Sequence, residues 1–190
     1  MVNRCSWATS SPSMQQYHDQ EWGRPQHDER ALFELLCLET YQAGLSWQTI
    51  LNKRAAFRRD FANFDIAQVA AMGPTDLARL LHDSAIIRNR LKLSATINNA
   101  QVLVHWPAGD SFSTWLWAFV GGQPIRHHFT TGDQIPATTD LAQHISREMK
   151  KRGFKFVGPT VVYSFLQAAG LINDHLVDCD WAPERQTKER

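Results

Sequence analysis

Four side chains able to bind a metal ion stand in two pairs at opposite ends of the sequence. Cys5 and His18 lie near the N-terminus; His175 and Cys179 lie near the C-terminus, in an H-x3-C spacing. Residues four apart share a face of a helical turn, so His175 and Cys179 can bind one ion together. Two thiolates and two imidazoles make a tetrahedral set that suits Zn²⁺. With every position filled by protein, such a metal is structural and ties the two chain ends together. The alternative is that Cys5 is a small buried hydrophobe and both histidines are surface residues, since split pairs lack the short C-x2-C signature.

A second set is a carboxylate among aromatics. Tyr17-His18-Asp19-Gln20-Glu21-Trp22-Gly23 places two rings beside a candidate ligand. Leu38-Glu39-Thr40-Tyr41-Gln42-Ala43-Gly44-Leu45-Ser46-Trp47 places an acid at the end of one helical run and a Trp at the start of the next. Glu39 ringed by Tyr17, Trp22 and Trp47 suits a flat, cationic or electron-poor heteroaromatic ligand, which the rings stack on and the acid hydrogen-bonds. The alternative has Glu39 exposed at a helix end and the rings filling core. A third set is Arg152-Gly153-Phe154-Lys155-Phe156-Val157-Gly158-Pro159-Thr160, a glycine-rich link between two helical runs. The N–H groups at such a helix start bind phosphate without reading bases. Lys150, Lys151, Arg152 and Lys155 make it the densest basic cluster; Lys53, Arg54, Arg58 and Arg59 form another. Both read equally as solvated rims.

Helical periodicity positions these groups. Asp28 caps a run carrying Leu32, Leu35 and Leu36; Ser46 caps one with Ile50, Phe57 and Phe61; Asp65 precedes Ile66, Val69 and Met72. Pro74 and Thr75 open a fourth helix, and a longer one runs from about Arg88 to Val104. Phe112, Trp115, Leu116, Phe119 and Val120 fill the helical template before Gly121-Gly122. Thr139 or Asp140 caps a run ended by Gly153, and Pro159 opens one closed by Gly170. Ile125 to Phe129 is the nearest to a strand and reads equally as loop. The expectation is an all-α fold of about eight helices.

The 190 residues fit one domain, with 43% hydrophobic and 21% charged residues excluding disorder. Twenty basic against nineteen acidic residues exclude a polybasic protein, so nucleic-acid binding needs a local basic face. No run approaches the ~18 apolar residues of a membrane span. The N-terminus lacks an apolar signal region and the three cysteines are odd in number, which predicts a reducing, cytoplasmic setting and no membrane association.

Taken with Cys5-Ser6-Trp7 and Asn173-Asp174-His175, these stretches resemble the 3-methyladenine-DNA glycosylase I family of bacterial base-excision enzymes, over nearly the whole chain. The resemblance implies a helix-hairpin-helix DNA glycosylase fold with a structural Zn²⁺ on Cys5, His18, His175 and Cys179. It implies one glycosylase domain over residues 1–182 and a polar tail over 183–190. It implies a base pocket of Tyr17, Trp22, Glu39 and Trp47, with Glu39 as the catalytic group. Gly44-Leu45 would enter the gap left by a flipped nucleotide, and Lys155, Gly158 and Thr160 would contact DNA. The implied partners are double-stranded DNA with alkylated bases and free 3-methyladenine as product, the enzyme acting as a monomer. Lys155 and Phe156 stand at the Pro and first Gly positions of the commoner hairpin, and Thr40 and Tyr41 replace smaller or amide residues of the pocket loop. Asp178, twenty after Gly158, falls in the H-x3-C turn and is assigned no catalytic role. Two other classes are a catalytic-zinc deaminase, whose H-x-E and P-C-x-x-C patterns are absent, and a non-catalytic damage binder.

Overall fold

The computed structural model describes residues 2–182 and Arg185, so the tail at 183–190 lies, Arg185 apart, outside the described residues. Nine α-helices account for most of the described residues: α1 Pro12–Gln20, α2 Glu29–Gln42, α3 Trp47–Asp60, α4 Ile66–Ala70, α5 Pro74–His82, α6 Arg90–Val104, α7 Phe112–Ala118, α8 Asp140–Lys151 and α9 Pro159–Ala168. None is long and apolar enough to cross a membrane.

Several begin where a side chain satisfies an otherwise orphaned N–H. Asp28, Ser46, Asp65 and Thr139 each accept from the backbone N–H three residues on. Three features depart from the sequence expectation. A short 3₁₀ turn, Ser6–Ser10, and α1 precede the first helix expected. The helix begun at Phe112 ends at Ala118, so Phe119 and Val120 belong to the turn after it. The fold is not wholly helical: β1, Ile125–Arg126, pairs in parallel with β2, Ile172–Asn173.

Helix α2 is the centre. Its residues from Leu32 to Tyr41 are all buried, against α9 on one side and α3 and α6 on others. A helix apolar on most faces is stable only when covered on most faces. It nonetheless carries two buried carboxylates, Glu34 and Glu39. At its C-terminal end buried Lys92 donates to the carbonyls of Tyr41 and Ala43, both at 3.1 Å. That cation on the last orphan carbonyls fixes the departure of the Ala43-Gly44-Leu45 loop.

The N-terminal segment closes onto α9. Gly23 N–H donates to the Gln167 carbonyl at 3.1 Å, and Gln26 N–H to the Ala169 carbonyl at 3.0 Å. Gly170, in the left-handed conformation at φ +72°, ends α9 where a Cβ would lie 2.2 Å from the Arg24 carbonyl carbon. Gly170→Ala adds both a left-handed penalty and a clash with backbone that cannot swing away. It is expected to destabilise by about 2–5 kcal/mol in urea unfolding.

Candidate functional site

Two neighbouring sites share the N-terminal segment. In the first, Cys5, His18, His175 and Cys179 are all buried, and their ligand atoms lie within 4.8 Å of one another. Cys179 Sγ is 3.5 Å from His18 Nε2 and 3.5 Å from His175 Nδ1, and Cys5 Sγ is 3.7 Å from His175 Nδ1. A tetrahedral zinc with bonds of ~2.3 Å to sulfur and ~2.0–2.1 Å to nitrogen spaces S and N about 3.6 Å apart. The outward ring nitrogens are held too, which orients both rings. His18 Nδ1 meets Asp19 Oδ1 at 2.9 Å, and His175 Nε2 meets the Trp22 carbonyl at 3.3 Å. Asp19 is itself clamped by Arg4, at 2.9 Å and 2.7 Å. Hydrogen bonding from Cys5, and then from the two histidines, outweighs burial and pushes the Cys179 thiol down to about 2, so it stands as the thiolate, the form able to bind a metal. Gly23 leaves room here: a Cβ would sit 3.1 Å from His175 Nε2. The donor set, its spacing and the hydrogen bonds on the outward ring nitrogens fit a metal ion with no open coordination position.

The second site is a cavity of about 510 Å³ lined by Trp7, Tyr17, Trp22, Glu39, Trp47 and Gln167, among others. The size is ordinary for a small-molecule pocket. Helix α1 supplies Tyr17 one residue before His18 of the Cys/His cluster, and the turn after it supplies Trp22. Helix α2 supplies Glu39, and α3 opens with Trp47 directly after its cap, Ser46. The rings brace one another: Tyr17 and Trp47 lie 5.2 Å apart, Trp7 and Trp22 5.0 Å apart edge to face.

Three polar atoms of this cavity lack protein partners. Glu39 Oε2, Tyr17 OH and Trp47 Nε1 are buried without a hydrogen bond. Buried polar groups are nearly always satisfied, so three unpaired atoms around one cavity are available to hydrogen-bond a ligand. Burial alone raises the Glu39 carboxyl to about 8, and burial, then the Glu39 charge, keeps the Tyr17 phenol protonated. Glu34, one and a half turns earlier, shows the contrast: Arg54 meets it at 2.6 Å and Arg58 at 2.8 Å. Glu39 has no such counter-charge.

Glu39, Gln42 and Ser164 also line an adjoining groove of about 310 Å³ with Gly44, Leu45 and Thr160. Leu45 is exposed there, and Gly44 is left-handed at φ +84°. Thr160 stands on the first turn of α9, two residues after its N-cap Gly158. Lys155 and Gly158 do not line that groove; Lys155 lies on the exposed rim of the α8–α9 link. In that link Phe154 and Val157 are buried, while exposed Phe156 is left-handed at φ +57°. Asn99 clamps the Lys155 backbone at both ends, accepting its N–H at 2.8 Å and donating to its carbonyl at 3.0 Å.

Other sequence readings resolve differently. The cluster at Lys53, Arg54, Arg58 and Arg59 is internal bracing: Arg54 also pairs with Glu21, Arg59 with Asp60 and Asp83, and Lys53 donates to the Ala85 carbonyl. Lys151 pairs with Glu148, and Arg152 stacks over Trp106 and Trp115. Thr40 and Tyr41 turn away from the cavity. Thr40 donates to the Leu36 carbonyl, and Tyr41 packs on Phe57 with its hydroxyl 3.0 Å from Thr96 Oγ1. Asp178 is exposed, held by Asn3. Sequence reasoning assigned no role to Trp7, Gln42, Ser164 or Gln167; Trp7, two residues after Cys5, was the one with a signal.

A family model described as methyladenine glycosylase matches residues 7–182. The DNA-3-methyladenine glycosylase 1 of Escherichia coli is 47% identical over 94% of this chain and 96% of its own. A crystal structure of a 3-methyladenine DNA glycosylase I superposes with a TM-score of 0.92 at 47% identity, covering 95% of this chain and 100% of that one. A Staphylococcus aureus 3-methyladenine DNA glycosylase I, solved for its recognition of 3-methyladenine, gives 0.89 at 42% identity over 94% and 95%.

The unpaired carboxyl has a consequence for stability. Unfolded, Glu39 ionises near 4.5; folded, only near 8. Between those values the unfolded chain has lost a proton that the folded chain keeps, so stability falls as pH rises, by up to ~1.4 kcal/mol per unit. Chemical denaturation across that window should show wild type losing stability, and Glu39→Gln flattening the slope and being the more stable at pH 8.

Proposed function

The chain belongs to the methyladenine glycosylase family, and from that premise we propose that it is a DNA-repair glycosylase that hydrolyses the N-glycosidic bond of 3-methyladenine in alkylated DNA. The observation that carries this reading is the aromatic cavity with three unpaired polar atoms, Glu39 Oε2, Tyr17 OH and Trp47 Nε1. A methylated adenine nucleotide is flat, cationic and rich in hydrogen-bonding edges, which is what such a cavity lacks.

Tyr17, Trp22 and Trp47 stack on and shape the base, with cation–π attraction to its charge. Glu39 accepts hydrogen bonds from it. In the empty cavity Glu39 is mostly neutral near pH 7; an entering cation favours the carboxylate, and the acid proton passes to solvent. The reacting nucleotide leaves the duplex first, at a cost of a few kcal/mol that a weakened pair reduces. The C1′–N9 bond then breaks with its electron pair passing to the base, which cancels the positive charge. A water oxygen bonds to C1′ and sheds a proton to solvent. Because the base leaves neutral, the protein chiefly extrudes, orients and selects.

The loop at Gly44 and Leu45 fills the gap left by the flipped nucleotide. Its exposed leucine beside the mouth of the cavity supports this. The α8–α9 link acts as the hairpin of a helix-hairpin-helix element. Its N-cap glycine, the exposed Lys155 and Thr160 and the first-turn N–H groups of α9 suit phosphate contacts on double-stranded DNA. Residues 1–182 act as one glycosylase domain. Cys5, His18, His175 and Cys179 hold a structural Zn²⁺, which supplies cross-linking of the chain ends and no reaction chemistry.

Two measurements test this. Purified protein should release free 3-methyladenine from methylated duplex DNA, and Glu39→Gln should lose about tenfold to a hundredfold in single-turnover rate, as expected for one charged hydrogen bond. No release by wild type would sink the reading; equal rates would remove Glu39 from it. Elemental analysis should find one zinc per chain, and Cys179→Ser should lose it with a lower melting temperature. Metal-free protein of unchanged melting temperature would leave the four residues as core.

A further inference from the structure

We propose that Gln167 determines base specificity: its side-chain carbonyl, aimed by Asp174, accepts from the exocyclic amine of a 6-amino purine and disfavours a 6-oxo purine. The proposal rests on the base-pocket reading above. Gln167 lines the cavity with Glu39, Tyr17 and Trp47. Its backbone is tied by the Gly23 N–H, so the residue cannot drift from the wall.

Asp174 is fully buried and lies outside the cavity lining. Its Oδ2 accepts from Gln167 Nε2 at 2.6 Å and from the Tyr163 hydroxyl. Its Oδ1 takes His127 Nδ1 at 2.6 Å. Tyr163 and Gln167 are one turn apart on α9, so one helix face presents both to the same carboxylate.

A carboxamide can turn end for end with little change in shape, exchanging a donor for an acceptor. Asp174 removes that freedom, because a carboxylate accepts and only the amide nitrogen can donate to it. One of its two N–H groups is therefore spent inside the protein, the amide is fixed end to end, and the carbonyl oxygen is the acceptor left for a ligand. Adenine carries an amine, a donor, where guanine carries a carbonyl, so a fixed acceptor separates the two. Asp174 is thus a positioning residue that acts through Gln167.

The test compares excision of 3-methyladenine and 3-methylguanine from methylated duplex DNA, together with tryptophan-fluorescence titration of the two free bases. Wild type should favour 3-methyladenine. Gln167→Met keeps the volume and loses the carbonyl. It should lower 3-methyladenine excision and affinity about fivefold to tenfold, the worth of one hydrogen bond, while 3-methylguanine holds or improves. Asp174→Asn, able to accept from or donate to the amide, should let Gln167 turn and lower the same ratio. His127→Ala, which leaves the Gln167–Asp174 bond in place, should keep the wild-type ratio. A wild-type ratio in Gln167→Met overturns the proposal, whether or not Asp174→Asn folds. Should wild type release neither base, the glycosylase reading fails, and the free-base titrations alone decide the role of Gln167.

Discussion

The first twenty-odd residues are held against the last helix and the turn beyond it, and the cavity follows from that attachment. Cys5 and His18 meet His175 and Cys179 in one buried cluster. Trp7, Tyr17 and Trp22 are therefore walls that exist only while the segment is docked. The opposite wall comes from α9, whose carbonyls take the Gly23 and Gln26 amides. Two glycines set the closeness of the seam: any side chain at Gly170 would meet the Arg24 backbone, and one at Gly23 would crowd His175. The metal-type cluster and the base-type cavity are thus two faces of one junction, sharing the run from Tyr17 to Trp22.

Within that frame the fold treats two buried acids on α2 in opposite ways. Glu34 is neutralised by Arg54 and Arg58, which bind α3 to α2. Glu39 is left without a partner, as are its neighbours Tyr17 OH and Trp47 Nε1. A buried charge without a partner is costly, and the molecule lowers that cost by keeping Glu39 protonated. An orphaned set of this kind is poor for stability and good for selectivity, because a ligand that satisfies it gains what the empty cavity forgoes.

Local chemistry made much of the fold legible. Asp28, Ser46, Asp65 and Thr139 cap helices because a short polar side chain before an apolar run has one obvious use. Helix α1 escaped notice because only Met14, Tyr17 and His18 of its nine residues are buried, although Ser11 and Pro12 open it as a cap and first-turn proline do. The β1–β2 pair is two residues long and its halves lie far apart in sequence, too short for any alternation to register. At the candidate site, Glu39, Tyr17 and Trp47 stood out by type and neighbourhood. Gln167 did not: on α9 it reads as one polar residue in an apolar run, and its orientation depends on Asp174, a contact made only by the tertiary fold. The basic run from Lys53 to Arg59 shows the reverse, since its acid partners on α2 and beyond α5 were not adjacent in the chain.

The seam between the ends also sets an order in time. Cys5 and His175 are 170 residues apart, about as non-local as a contact in this chain can be. The ribosome makes Trp7 and Tyr17 long before the surface they lean on. Helices α2 to α6 can begin to assemble as they emerge, since α2 packs on α3 and α6 and α4 packs on α6, while the side of α2 that faces α9 waits for the later chain. The cavity cannot: until β2 and the turn carrying His175 have been synthesised, the aromatic segment has nowhere to dock. Binding therefore waits for the turn that carries His175, and a chain stopped short of it holds the acid and the rings without a place for a base.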